Sequence, residues 1–308
     1  MRICLLLLLL TLPVLACLNE TEKDLNGNDV PVEAGPGSYE LPSFYRDWKE
    51  ELAGHEHKLK ANPHDRGARN DRGVCLAHLG RSREALALFQ QLEREAPGVY
   101  GTAANMGTCY ELCGRDEDAL YWIRESIHRN PDAHQGTEWL HVKILEAKLA
   151  LAQDPNWLQS HSVLGMDFGS KVRPHYPREL STQVARDRVR KALRYQLGER
   201  MPLVPPPDPV VADLLFDLAN LAALMQSAHR GEEVMQEALR YGPPLKSLAK
   251  KRLAYFGSFD KKEEPAKPKP KSGAKKSPPA AAKQSWWRPA LAVLAILSLL
   301  LGIGRLRR

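Results

Sequence analysis

Pro63, Pro97 and Pro131 stand 34 residues apart, and self-similarity at a fixed period of that order is the signature of a repeat architecture. A unit of that length has room for two short helices and a turn. One such pair cannot bury its own apolar stripe, so neighbours must stack. The length of 308 residues leaves room for one or two such domains and for segments outside them.

Position by position, the pattern W-x2-L-G-x2-Y…A-x3-F…P recurs. In residues 66–99, Gly73, Leu76, Ala85, Phe89 and Pro97 fall where it asks for Gly, Tyr, Ala, Phe and Pro. In residues 100–133, Ala103, Met106, Gly107, Tyr110, Ala119, Ile123 and Pro131 fit, with Gly80 and Gly114 at the turns. Arg69 and Arg72 stand where apolar residues are expected, which weakens the outer seam of the first unit. Gly73 and Gly107 are small enough for two helices to approach closely, and Gly80 and Gly114 suit the left-handed turn that ends a helix. On these residues the chain resembles the tetratricopeptide-repeat family. The resemblance implies an all-α helical solenoid whose concave face, lined by the first helix of each pair, holds a protein partner. Carried onto this sequence, that groove is Asn70, Val74, His78, Ala104, Thr108, Glu111, Glu138 and Val142. The basic residues of a carboxylate clamp are missing from these positions.

The flanks extend the stack over residues 44–152. A helix from Phe44 to Ala61, with Trp48 and Leu52 on one face, precedes the first unit. Gly136 to Leu151 begins a third, carrying Trp139, Leu140, Ile144 and Leu145. Its second helix is then lost: Pro155, Gly165, Gly169, Pro174 and Pro177 make residues 153–181 an irregular loop. Residues 182–258 return to helix, first over Thr182–Leu197 with Val184, Val189, Leu193 and Leu197 as its apolar set. After the break at 201–209 comes a degenerate repeat over 212–245, with Leu215, Leu218, Ala219, Ala222, Met235 and Ala238 in register. There Gly231 occupies the small position and no Gly lies at the close-approach site. A helix from Pro244 to Tyr255 caps the array.

The two ends point to a membrane. Residues 1–16 carry Arg2 and then an apolar run too short to span, followed by polar residues, as in a secretory signal peptide. Val14-Leu15-Ala16-Cys17 fits cleavage before Cys17 and also resembles a bacterial lipobox, in which Cys17 would be lipidated; both fates stay open. Residues 17–43 are expected to be disordered. Residues 286–304 bring Trp286, Trp287 and Arg288 ahead of an uncharged run from Pro289 to Gly304, the arrangement of a single transmembrane helix with interfacial anchors. The basic tail 305–308 (Arg305, Arg307, Arg308) then faces the cytoplasm and places the repeats outside the membrane, periplasmic in a bacterial envelope. The same order of linker, apolar run and basic cluster also looks like a processed sorting signal, although no PEP or Gly-Gly motif precedes it.

The net charge of +7 belongs to the ends. Residues 259–285 form a Lys/Pro/Ala-rich linker with little to bury, expected to be extended. The +6 of its stretch 261–285, the four arginines beyond it and Arg2, taken away from the total, leave −4 over residues 18–260. A nucleic-acid-binding domain carries a basic footprint on itself, so nucleic acid is not an expected partner. No phosphate loop, zinc spacing or nucleophile elbow is present, and no cofactor, metal or small-molecule substrate is implied. His161, Asp167 and His175 mark the irregular loop as the one place an active site could sit, with ordinary loop polarity as the plainer account. Cys75, Cys109 and Cys113 occupy small buried positions and are read as packing residues. The expected function is thus non-enzymatic: an exported, membrane-anchored scaffold or adaptor for other exported or membrane proteins. The alternatives are a structural envelope protein gripping anionic polymer through its lysines, or an enzyme using residues 153–180.

Overall fold

The computed structural model describes residues 21–31 and 46–259. The signal-type segment 1–16, Cys17, the linker from residue 260, the apolar run 286–304 and the tail 305–308 lie outside the described residues. Among those described, no helix is long and apolar enough to cross a membrane.

The repeat period becomes helical hairpins at the expected places. Helix α1 (Trp48–Ala61) precedes α2 (Arg66–His78) and α3 (Ser82–Glu95), then α4 (Tyr100–Leu112) and α5 (Asp116–Arg129). Asp47 and Asp65 cap α1 and α2 by accepting hydrogen bonds from first-turn amides, which would otherwise lack partners. Gly80 (φ 76°) and Gly114 (φ 74°) take the left-handed turns. The close approaches also fall where the repeat pattern puts them. A Cβ on Gly73 would meet Cζ of Phe89 at 2.5 Å, and one on Gly107 would meet Cδ1 of Ile123 at 2.6 Å. Around these contacts Leu76, Leu86, Phe89, Met106 and Ile123 form a first apolar core, with Cys75 and Cys109 buried in it as free thiols. Burial pushes the Cys109 thiol up to about 12, which keeps it protonated and unreactive. The outer seam is held by ions rather than left weak: Arg69 is buried and forks onto Glu95, and Arg72 reaches Glu56 of α1 at 3.5 Å.

After a single turn, α6 (Ala133–Gly136), helix α7 (Glu138–Gln153) joins two cores. Its Leu145 belongs to the first, while Leu140 and Ile144 belong to a second built with α8 (Gln183–Arg200), α9 (Pro209–Met225), α10 (Ala228–Tyr241) and α11 (Lys246–Phe256). Here the molecule departs from an open solenoid. Every residue of α9 from Val210 to Ala223 is buried, whereas a peripheral repeat helix would show one solvated face. Gly231 of α10 supplies the missing close approach from the opposite helix: a Cβ there would overlap Cβ of Ala223 and stand 3.0 Å from the carbonyl of Ala219. Gly231→Ala should therefore cost about 1–3 kcal/mol by overpacking. Gly54→Ala, in open space midway along α1, should instead stabilise by roughly 0.5–1 kcal/mol. Urea titration of both variants checks the opposite signs.

The segment 153–181 is irregular as expected, with single 3₁₀ turns at Trp157–Gln159 and Arg178–Leu180. It is nevertheless packed, because Leu158, Val163, Leu164, Phe168 and Leu180 are core residues. Arg252 of α11 satisfies its backbone: the buried guanidinium donates to the carbonyls of Phe168 (3.1 Å), Lys171 (3.1 Å) and Gly169.

Two expectations need correcting. Val184 is 79% exposed. At 100° per residue it lies well away from the face shared by Val189, Leu193 and Leu197, all buried. Within the segment expected to be disordered, residues 21–31 form an antiparallel hairpin, β1 (Thr21–Lys23) with β2 (Asp29–Pro31). Asp24 folds the turn by accepting from the amides of Asn26 and Asn28, both at 2.8 Å. Leu25 is buried in the second core, and Glu22 pairs with Arg230 of α10 at 3.2 Å.

Candidate functional site

The first helices of the two clear repeats, α2 and α4, face α7 and α8 across a half-open cavity of about 120 Å³. Helix α2 contributes Val74, Ala77 and His78; α4 contributes Asn105, Thr108, Cys109, Glu111 and Leu112. Opposite stand Glu138 and His141 of α7, then Tyr195, Gln196, Glu199 and Arg200 of α8, with Leu203 and Val204 just beyond it. That last stretch is held in place because the Tyr241 hydroxyl donates to the carbonyl of Val204 (3.0 Å).

Five of the eight residues expected in the groove line this cavity: Val74, His78, Thr108, Glu111 and Glu138. Asn70 lies one helical turn before Val74 and accepts a 3.0 Å hydrogen bond from Asn105, linking α2 to α4. Ala104 is buried and Val142 packs against the first core, so neither faces the cavity. His78 stacks on Trp48, ring centroids 3.7 Å apart. Burial lowers its pKa to about 4, so this imidazole is neutral at physiological pH.

The two acids in the set line the cavity but are buried and structural. Glu111 is buried and receives both Nη atoms of Arg200 (2.5 and 3.0 Å), Nε2 of His141 (2.9 Å) and Nζ of Lys148 (3.0 Å). Burial alone would raise its pKa; the charge of Arg200 and the bond from His141 outweigh it and hold the carboxyl well below the usual range. Glu138 is also buried. Its Oε1 pairs with Nδ1 of His134, a residue that reaches it from a left-handed backbone (φ 50°). Such a backbone in a non-glycine residue costs of order 1–3 kcal/mol, and the ion pair offsets it. Oε2 of Glu138 is paired with Nδ1 of His141 at 3.5 Å. Burial would raise this carboxyl too, but the two imidazoles bring it down to about 2.

Arg200, His141, His134, Tyr195 and Glu199 are absent from the groove expected from the repeat pattern. His141 had a local signal, one turn after Glu138 on the same helix face. Arg200 had none, because it reaches Glu111 from 89 residues away. In the irregular loop, His161 stacks on Trp157 and Asp167 accepts from the Gly169 amide at 2.7 Å. His175 stands against Gly169. Each of the three is thus engaged with its own loop. Among the described residues no group of acids, histidines and cysteines is placed to hold a metal.

No family model matches the chain, and no curated protein does. Solved structures do. A thermophilic TPR protein of Thermus thermophilus is 18% identical, with a TM-score of 0.35, over 68% of this chain and 91% of that one. A chain of the Naa15/Naa10 structure bound to HypK-THB is 17% identical, with a TM-score of 0.31, over 69% of this chain and 32% of that one. The helical-hairpin repeat described above rests on this chain's own geometry.

Proposed function

We propose that this chain is an exported, membrane-anchored helical-repeat protein that serves as a protein–protein interaction scaffold in the cell envelope, taking its partner in the cleft between α2, α4, α7 and α8. The observation carrying this reading is the cleft itself: half-buried side chains from the inner helices of two consecutive repeats, Val74, His78, Asn105 and Thr108, border a cavity that the chain's own helices leave half open, with Asn70 one turn before Val74. Export and anchoring rest on the segments 1–16 and 286–304. Tethering would raise the local concentration of partners at the membrane.

The test is crosslinking in intact cells with recovery from detergent extract. The double variant Asn70→Arg/Thr108→Arg narrows the cleft without touching the buried ion pairs. It should lose crosslinked species that the wild type and Tyr121→Ala both retain; Tyr121 lies on α5 and is 62% exposed. Identical crosslinks from all three would move the interaction elsewhere. Protease protection in intact versus opened cells checks the side of the membrane: cleavage of residues 46–259 only after the cytoplasm is opened would overturn export.

A further inference from the structure

Tyr195 and Glu199 line the cleft and also a second depression, an open groove of about 520 Å³ along α8. This groove takes in Gln135 and, from α8, Asp187, Arg190, Lys191 and Arg194. Arg194 follows Lys191 by three residues and Arg190 by four, spacings at which like charges face each other and weaken a helix. Asp187 and Glu199 offset part of that charge. Helix α8 as a whole still carries six cations against two acids, +4 in a body that sums to −4. The opposite wall is strained. Among the described residues, His134 and Gln135 are the only non-glycine residues with a positive φ, 50° and 61°, a conformation that clusters at ligand-binding places. His134 has the ion pair with Glu138 to offset the cost. Gln135 is exposed and uncharged, and it lines the groove. Tyr195 stacks on His134, ring centroids 5.7 Å apart. Burial, with Glu199 nearby, pushes its phenol up to about 12, so the hydroxyl stays a donor.

Resting on the cleft reading above, we propose that the partner segment seated in the cleft continues past Tyr195 into this groove and places two acidic side chains there, two positions apart. Arg190 and Arg194 stand about 6 Å apart along the axis, four residues at roughly 1.5 Å each. Alternate side chains of an extended segment repeat at about 6.7 Å on one face. A Glu-x-Glu stretch laid along α8 therefore meets both guanidinium groups in register. Each guanidinium takes a carboxylate through paired N–H donors, Lys191 adds a point charge between them, and Gln135 and Tyr195 supply neutral donors. The acids of α8 decide between a peptide and a polyanion. Asp187 precedes the cationic stretch and Glu199 follows it, so they repel a chain charged at every unit, such as nucleic acid, and leave room for two carboxylates.

The test uses the full-length protein in detergent and an array of nine-residue peptides of varied sequence, each with a central Glu-x-Glu, Gln-x-Gln, adjacent Glu-Glu or Lys-x-Lys. Glu-x-Glu peptides should bind at least roughly tenfold tighter than their Gln-x-Gln twins, the scale of one charge-assisted hydrogen bond. They should also bind tighter than peptides with adjacent Glu-Glu. Raising salt from about 0.05 M to about 0.5 M should shrink the advantage. Arg190→Glu/Arg194→Glu should reverse it, so that Lys-x-Lys peptides bind best, a reversal that a misfolded variant cannot produce. Peptides that bind the wild type, fail on Asn70→Arg/Thr108→Arg and show no preference for Glu-x-Glu would overturn this inference and leave the cleft reading standing. A preference that survives Arg190→Glu/Arg194→Glu would overturn it as well, placing the acids elsewhere. Short single-stranded DNA binding tighter than every Glu-x-Glu peptide would make the groove a polyanion site and overturn the peptide assignment. No peptide binding at all would sink both readings.

Discussion

Replacing Arg200 with alanine should destabilise the protein by about 3–5 kcal/mol, the cost of leaving a buried charge without its partner. For a folded region of this size that is a fall in Tm on the order of 10 °C. Arg200 and Glu111 are both buried and meet through two bonds across 89 residues of sequence. Glu111 keeps His141 and Lys148 in the Arg200 variant, so part of its charge stays compensated. Glu111→Ala should be the worse change, since Arg200 and His141 both lose their acceptor while Lys148 retains Asp116 at 2.8 Å. The double variant Glu111→Leu/Arg200→Met should recover most of the loss, because a well-packed apolar pair avoids the desolvation that two buried charges carry. Urea unfolding of the wild type, Glu111→Leu, Arg200→Met and their double variant closes a mutant cycle. Single losses below about 1 kcal/mol, or a double loss equal to the sum of the singles, would show that the pair is not coupled as the structure has it.

The repeat hairpins were legible because their information is local. Gly73 meets Phe89 sixteen positions on, and Gly107 meets Ile123 at the same separation, so one period contains both sides of each contact. The site was half legible for the same reason. The inner helices of the repeats bring Val74, His78 and Thr108 to the cavity. The acids Glu111 and Glu138 looked like solvated groove residues, because the groups that bury them sit on α8 and in the left-handed turn before α7. Nothing in a 34-residue pattern says that a later helix will close one side of the groove. The hairpin at 21–31 had its own signal in Asn26-Gly27, hidden within a polar stretch whose burial depends on Leu25 reaching a core formed by distant helices. The all-round burial of α9 could not come from its own sequence either, since Asp213, Asp217 and Asn220 punctuate it with polar residues. Only the loop brought over it by α7 and α8 gives Asp213 a partner, the Val163 amide at 2.8 Å.

Those buried acids set the second large effect, a stability maximum in mildly acid solution. The folded pKa of Glu138, about 2, lies below its usual 4.5. Its contribution, on the order of 3 kcal/mol, is therefore present above about pH 4.5 and lost as pH falls toward 2. Glu111 acts in the same direction. Asp213 and Asp217 do the reverse. Burial raises Asp213 from 3.8 to about 6 and Asp217 well above 3.8, with the neighbouring Asp213 adding to the rise. A carboxyl whose folded pKa is raised binds its proton more tightly in the native state. Stability is then full below about pH 3.8 and falls by on the order of 3 kcal/mol as pH climbs through 6. His134 and His141 continue that decline. Carboxylate partners raise both above the usual 6.5, against the opposing effect of burial, so their contribution is complete below 6.5 and is lost as pH rises through the folded value. Urea midpoints should thus be higher at about pH 5 than at about pH 3 or pH 8. Asp217→Asn removes a charge that the interior resists and keeps the shape, so it should flatten the upper limb and raise stability at about pH 8. Glu138→Gln should flatten only the lower limb. A stability that rises steadily from about pH 3 to pH 8 in the wild type, or an Asp217→Asn variant weaker than wild type at the alkaline end, would mean that Asp217 is ionised and paired in the native protein.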